Sequence, residues 1–264
     1  MAKAKTKKKR QPIILITNDD SVNAPGIRAL VEAVKGLGKI IVVAPDKPQS
    51  GMGHAITVST PLRLKTITIE EGYEEYSCNG TPVDCVKLAE KAILHGNPDL
   101  LVSGINHGSN ASINVIYSGT MAAVFEGAIE GVTSIGFSVD DHSWSADFSH
   151  VDVFIDKIVE MILEHGVPKD TCLNVNIPKL NGNSPRGIKI CRQAKAFWDE
   201  AFDARTDPHG KEYYWLTGEF RHQDQGEDTD IWALENNYVA VVPLQFDFTA
   251  HHTIEKLNNY NWNV

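Results

Sequence analysis

The chain has 264 residues, 42% hydrophobic and 22% charged, with 25 Lys and Arg against 34 Asp and Glu for a net charge of −9. This is the balance of a globular protein with a real core, and it excludes collagen-like, coiled-coil and disordered classes. Lys3, Lys5, Lys7, Lys8, Lys9 and Arg10 crowd the first ten positions, so the remaining residues carry a net charge of −15; such an acidic body argues against a nucleic-acid surface, and no stable nucleic-acid partner is expected.

Residues 1–11 read as a solvated, disordered basic tail. No apolar run approaches the roughly 18–20 residues of a membrane span. The four apolar residues after Pro12, Ile13 to Ile16, are too few for a secretory signal. Four cysteines without a C-x-x-C pair fit reduced, buried thiols, and a soluble cytoplasmic protein is expected. Residues 13–17 form a continuous β-branched run, the pattern of a strand buried on both faces of a parallel sheet. A helix over 29–37 and a second buried strand over 39–44 complete a β-α-β unit with a right-handed crossover. Residues 45–60 are a long Pro, Gly and Ser loop, and 62–70 with 73–78 alternate as a hairpin around Glu71-Gly72.

A helix is expected over 82–94, with Asp84 capping its start, then a buried strand over 100–103. Ser118 reads as the N-cap of a helix running to about residue 130. Residues 132–139 are a strand, 151–165 a helix and 172–177 a strand. This alternation predicts an α/β fold, a Rossmann-like doubly wound, mostly parallel sheet in three layers, over residues 12–180. Beyond Pro178, strands over 187–195, 211–220 and 238–242 and a short helix over 228–235 suggest a β-rich arm and C-terminal segment, residues 181–264, used in oligomerisation. His251-His252, were they in a strand, would point to opposite faces, so no shared metal is expected there.

In open α/β sheets ligands bind beyond the carboxyl ends of the strands. The first strand ends in Asn18-Asp19-Asp20, an adjacent carboxylate pair that fits either a hard cation or an Asx turn leading to Pro25-Gly26. The second is followed by Gln49-Ser50-Gly51, with a hydroxyl oxygen and accessible backbone N–H groups. The strand beginning at Leu100 leads to Ser103-Gly104-Ile-Asn106, whose amide oxygen completes an oxygen set. Tyr117-Ser118-Gly119-Thr120 then opens a helix whose free N–H groups suit a phosphate. Together these strand ends point to metal-assisted hydrolysis of a phosphate ester.

Ile16-Thr-Asn-Asp-Asp20, Ala24-Pro-Gly-Ile27, Val43-Ala-Pro-Asp46, Gln49-Ser-Gly51, Gly80-Thr-Pro-Val-Asp84, Ser103-Gly-Ile-Asn106 and Tyr117-Ser-Gly-Thr120 follow the order and approximate spacing of the SurE (survival protein E) family, as do Asp228-Thr-Asp230 and Val242-Pro-Leu244. The resemblance covers roughly residues 13–250. It implies a cytoplasmic phosphatase acting on nucleoside 5′- and 3′-monophosphates. It also implies one divalent metal ion per subunit, Mg²⁺ or Mn²⁺, held at Asp19, Asp20, Ser50 and Asn106, and an arm exchanged within a homodimer or homotetramer. Ser21 and Ala111 stand where that family usually has Gly, and Met121-Ala-Ala-Val-Phe125 departs from its usual small-residue helix start.

On this reading Asp19, Asp20 and Asn106 are the catalytic set, and Ser103, Gly104, Ser118, Gly119 and Thr120 steady the phosphate. The residues leave open whether water or an Asp is the nucleophile; metal-activated water with Asp20 as base is favoured, because a carboxylate committed to a cation attacks poorly. His107 stands either as a proton donor to the leaving oxygen or as an ordinary loop histidine. Trp198, Tyr213, Tyr214 and Trp215 are candidates for base stacking across a dimer or, in preference, for interface packing. A haloacid-dehalogenase-type phosphatase would need Asp-x-Asp, and a non-catalytic nucleotide sensor would need a G-x-G-x-x-G or Walker loop after the first strand; neither motif is present there.

Overall fold

The computed structural model describes residues 10–262. The expected tail therefore lies outside the described residues, apart from its last two positions. Arg10 is exposed but engaged in an ion pair. Its guanidinium reaches both carboxylate oxygens of Asp99 at 2.6 and 2.8 Å, which ties the entry of the first strand to the turn before the fifth.

β1 (Ile13–Thr17), β2 (Lys39–Pro45), β3 (Leu64–Glu70), β4 (Tyr73–Cys78), β5 (Leu100–His107), β6 (Ser134–Val139), β7 (Cys172–Ile177), β8 (Ile188–Ile190) and β11 (Val239–Leu244) form one sheet in the order β3-β4-β2-β1-β5-β6-β7-β11-β8. From β4 to β7 all neighbours run parallel. β3 and β11 are antiparallel to β4 and β7. The β-branched runs follow from the two faces each strand must cover. Ile14 and Ile16 enter one core with α1 (Pro25–Val34) and α4 (Asp152–His165). Leu15, Ile41 and Val43 enter the other, with α2 (Pro82–Leu88) and α3 (Gly119–Ile129). This is the expected α/β fold of three layers.

Local signals hold where they are strongest. Thr81 and Asp84 form a reciprocal capping box on α2, and Asp84 also accepts from Thr57 N at 3.0 Å. The helical pattern over 82–94 is one element in sequence but two in space, since residues 89–94 widen into a π-helix closed by His95 in the left-handed region. β5 runs four residues beyond the strand expected over 100–103, so Gly104 and Asn106 sit inside it, at an irregularity in its register with β6.

The boundary expected at residue 180 is not where the sheet ends. β11 pairs with β7 and seats Val239 and Val241 in the core beside α4, and β8 follows along β11. Had β11 stayed in an arm, β7 would present an open, apolar edge. The feature that leaves the body is a two-stranded hairpin, β9 (Ala196–Thr206) and β10 (Glu212–His222). α5 (Asp230–Glu235) returns the chain to the sheet, and His251 and His252 open α6 (His251–Asn258).

Candidate active site at the strand ends

β1 lies between β2 and β5, where the winding of the sheet reverses, and its carboxyl end opens the crevice in which such folds bind ligands. The turn after it is pinned by Asn18, whose Nδ2 donates to Ser21 O at 2.8 Å. Ser21 sits at φ +96°, a conformation that costs any side chain about 1 kcal/mol or more and costs glycine little. Ala111, the other position where glycine is usual, has φ −69° and needs no glycine.

The turn sends the two carboxylates in different directions. Asp19, 4% exposed, faces the start of α3, where Thr120 Oγ1 donates to its Oδ1 at 2.6 Å. Asp20, 7% exposed, faces the end of β5, where its Oδ2 accepts from His107 Nδ1 at 2.9 Å and from His107 N at 3.3 Å. Burial, then the neighbouring Asp20 charge, pushes the Asp19 carboxyl up to about 6, with the Thr120 hydroxyl and backbone N–H groups at Asp19 and Gly119 pulling the other way. A buried acid beside a second acid is a position that a cation relieves.

Three further oxygens lack partners. Thr17 Oγ1, Asn18 Oδ1 and Ser103 Oγ are all buried without a hydrogen bond, and each such orphan costs roughly 1–3 kcal/mol. Thr17 and Ser103 are direct neighbours across the β1–β5 ladder. Asn106 commits its Nδ2 to Gly108 O at 2.8 Å and His107 O at 3.4 Å, which turns its Oδ1 to accept from elsewhere. The donor set is therefore two carboxylates with amide and hydroxyl oxygens, the chemistry that hard divalent cations prefer. Among the described residues no group of three or more His, Cys, Asp and Glu side chains is placed to hold a metal ion, so a cation here would depend on amide and hydroxyl oxygens beside the carboxylate pair.

The other expected residues are placed unevenly. Ser50 is exposed on the loop after β2 and makes no hydrogen bond to Asp19, Asp20 or Asn106, although Gln49 N donates to Asp19 O at 2.7 Å and holds that loop beside the pair. Ser118 caps α3, its Oγ accepting from Met121 N at 3.0 Å. Gly119 is needed for close approach, since a Cβ there would lie 2.7 Å from Asp19 Cβ. Gly104, at φ +128°, likewise makes room for the Phe137 carbonyl. Thr120, expected to steady a phosphate, is fully buried with its hydroxyl spent on Asp19, so it orients that carboxylate.

Sequence reasoning missed the surroundings of His107. Its ring stacks on Trp144 with centroids 5.2 Å apart and planes 15° apart, and meets Phe148 edge-on at 5.2 Å. Its Nε2 is buried without a partner. Trp144 lies 37 residues away with no motif around it, so no local signal could have found it. Of the hairpin aromatics, Trp198 reaches the turn before α3, where its Nε1 donates to Asn114 Oδ1 at 2.8 Å.

The family model for Survival protein SurE matches residues 14–200. A relative from Christiangramia forsetii named 5′-nucleotidase SurE is 60% identical over 97% of this chain and 99% of its own. A second of that name, from Flavobacterium psychrophilum, is 58% identical over 96% and 99%. The crystal structure of the SurE protein from Aquifex aeolicus superposes with a TM-score of 0.81 at 40% identity, covering 94% of this chain and 98% of that one. The strand-end carboxylates thus lie within the span of the family match, and the chain belongs to the SurE family.

Proposed function

We propose that this chain is a divalent-metal-dependent 5′-nucleotidase that hydrolyses nucleoside 5′-monophosphates, and 3′-monophosphates as well, to nucleoside and phosphate. The observation that carries the reading is the buried Asp19–Asp20 pair set beside unpartnered oxygens of Thr17, Asn18 and Ser103. The names of the full-length relatives support the phosphatase class.

Asp19, Asp20 and the Asn106 amide oxygen would hold one Mg²⁺ or Mn²⁺, with Ser50 joining from the loop that Gln49 tethers to Asp19. When bound, that ion supplies positive charge against the phosphate and makes water a better nucleophile at neutral pH. The protein's own residues do the rest. Thr120 holds Asp19 in one orientation. Ser103 Oγ, which has no partner within the protein, donates to a phosphate oxygen. The Ser118 hydroxyl, an acceptor toward Met121 N, keeps its proton for a second phosphate oxygen at the N-terminus of α3. Asp20 Oδ1, left free by His107, takes the proton of the attacking water as the bond between phosphorus and the ester oxygen breaks, and passes it to the departing nucleoside oxygen.

The exposed apolar faces of the β9–β10 hairpin support assembly as a homodimer or homotetramer. Four buried, unpaired cysteines suit the cytoplasm, and among the described residues no helix is long and apolar enough to cross a membrane. Purified protein supplied with Mn²⁺ or Mg²⁺ releases phosphate from nucleoside monophosphates and loses that activity on chelation. Failure to release phosphate from any of them, under a full panel of divalent metals, overturns the reading.

A further inference from the structure

The loop over residues 140–149, between β6 and α4, carries a tryptophan directly over the site's histidine. One face of the Trp144 indole is taken up by His107, which in turn bonds Asp20. The residue is nevertheless 59% exposed. A large aromatic so placed loses hydration on one side only and keeps the rest of its surface open to a further stacking partner.

The loop is also shaped in advance. Asp141 Oδ1 accepts from Ser143 N at 3.0 Å, the Ser143 and Ser145 hydroxyls pair at 2.8 Å, and Asp147 Oδ1 accepts from Ser149 N at 2.8 Å. Lys179 Nζ holds Asp141 Oδ2 at 3.0 Å. His142 lies against Gly108, so closely that a Cβ on that glycine would be 2.3 Å from its Nδ1. These contacts hold Trp144 over His107, one residue removed from Asp20, before any substrate arrives, which lowers the ordering cost of binding.

We propose that Trp144 is the residue that stacks on the nucleobase of the substrate while the phosphate sits at Asp19 and Asp20, and so sets the preference for nucleotides over other phosphate esters. The role rests on the nucleotidase reading. Every base has a π-face, so such a platform gives affinity for bases as a class and discriminates against esters that lack one.

The test compares AMP with ribose 5-phosphate, which keeps the ester and loses the base, in the full-length protein with Mn²⁺. Trp144→Ala raises KM for AMP by roughly tenfold more than KM for ribose 5-phosphate, with the kcat values falling little. Trp144→Phe, which keeps a ring, restores most of the difference. Equal losses on both substrates overturn the role, because they assign Trp144 to packing His107 alone. An unchanged KM for AMP also overturns it. If the wild-type protein hydrolyses ribose 5-phosphate and no nucleotide, the nucleotidase reading has failed instead.

Discussion

The strand ends and the β9–β10 hairpin are both incomplete, in opposite senses. At the ends of β1 and β5, polar oxygens are buried with fewer partners than they need. On the hairpin, Phe202, Tyr214, Trp215 and Leu216 are exposed with no apolar cover. The first region lacks charge and hydrogen-bond donors, the second apolar cover. The buried core between them, from Ile14 to Val241, lacks neither.

The largest effect expected from breaking this contrast is at Asp19. Asp19→Asn lowers kcat/KM by roughly a thousandfold while circular dichroism shows the fold intact, because the substitution removes a buried charge that the protein itself does not neutralise. Activity within tenfold of wild type would remove Asp19 from the site.

Next comes the hairpin. Trp215→Ser combined with Leu216→Ser lowers the assembled mass in sedimentation, while the protomer's Tm shifts by no more than about 3 °C, since neither side chain enters the core. Unchanged assembly would mean that the exposed hairpin face is not the interface.

Glu90 sharpens the contrast, because it is another buried carboxyl without a hydrogen bond, its Oε2 reached only by Lys91 Nζ at 3.8 Å, yet it lies in the π-helical turn rather than at the strand ends. There the missing partner is a proton. Burial, then the Glu130 charge, pushes Glu90 up to about 7, with Lys91 and Lys87 opposing. The fold therefore favours the protonated acid, and the stability this gives is present below about 4.5 and lost as the pH rises through about 7. Glu90→Gln is more stable than wild type by roughly 1–2 kcal/mol at pH 8 and equal to it near pH 4.5, as measured by urea denaturation. An equal difference at both pH values would show that charge is not the cause.

The smallest effect is at the turn itself. Ser21→Gly relieves the φ of +96° and stabilises the protein by about 1 kcal/mol, whereas Ala111→Gly, at an ordinary φ, destabilises it. The same sign for both substitutions would show that φ is not what separates them.

The elements legible in the sequence are those whose signal is local. β1, β2, β6 and β7 appear as apolar runs because each is covered on both faces, and α2 and α3 announce themselves through Thr81, Asp84 and Ser118. β9 was not legible: Ala196 to Thr206 mixes charges with isolated aromatics, and it is a strand because β10 pairs with it along its whole length. The candidate ligands Asp19, Asp20 and Asn106 could be chosen from chemistry and strand position. The duty of Thr120 could not, because a hydroxyl at a helix start serves a phosphate or a neighbouring carboxylate equally well until the neighbour is known.

The sequence by itself determined the class of fold, the strand ends proposed as the site and the family, all of which rest on contiguous pattern or ordered motifs. Only the tertiary structure decided that β11 closes the sheet, that Asp19 and Asp20 turn to different partners, and that Trp144 covers His107. These depend on contacts between residues tens to more than a hundred positions apart, and they are settled by which packing leaves the fewest buried groups unpaired.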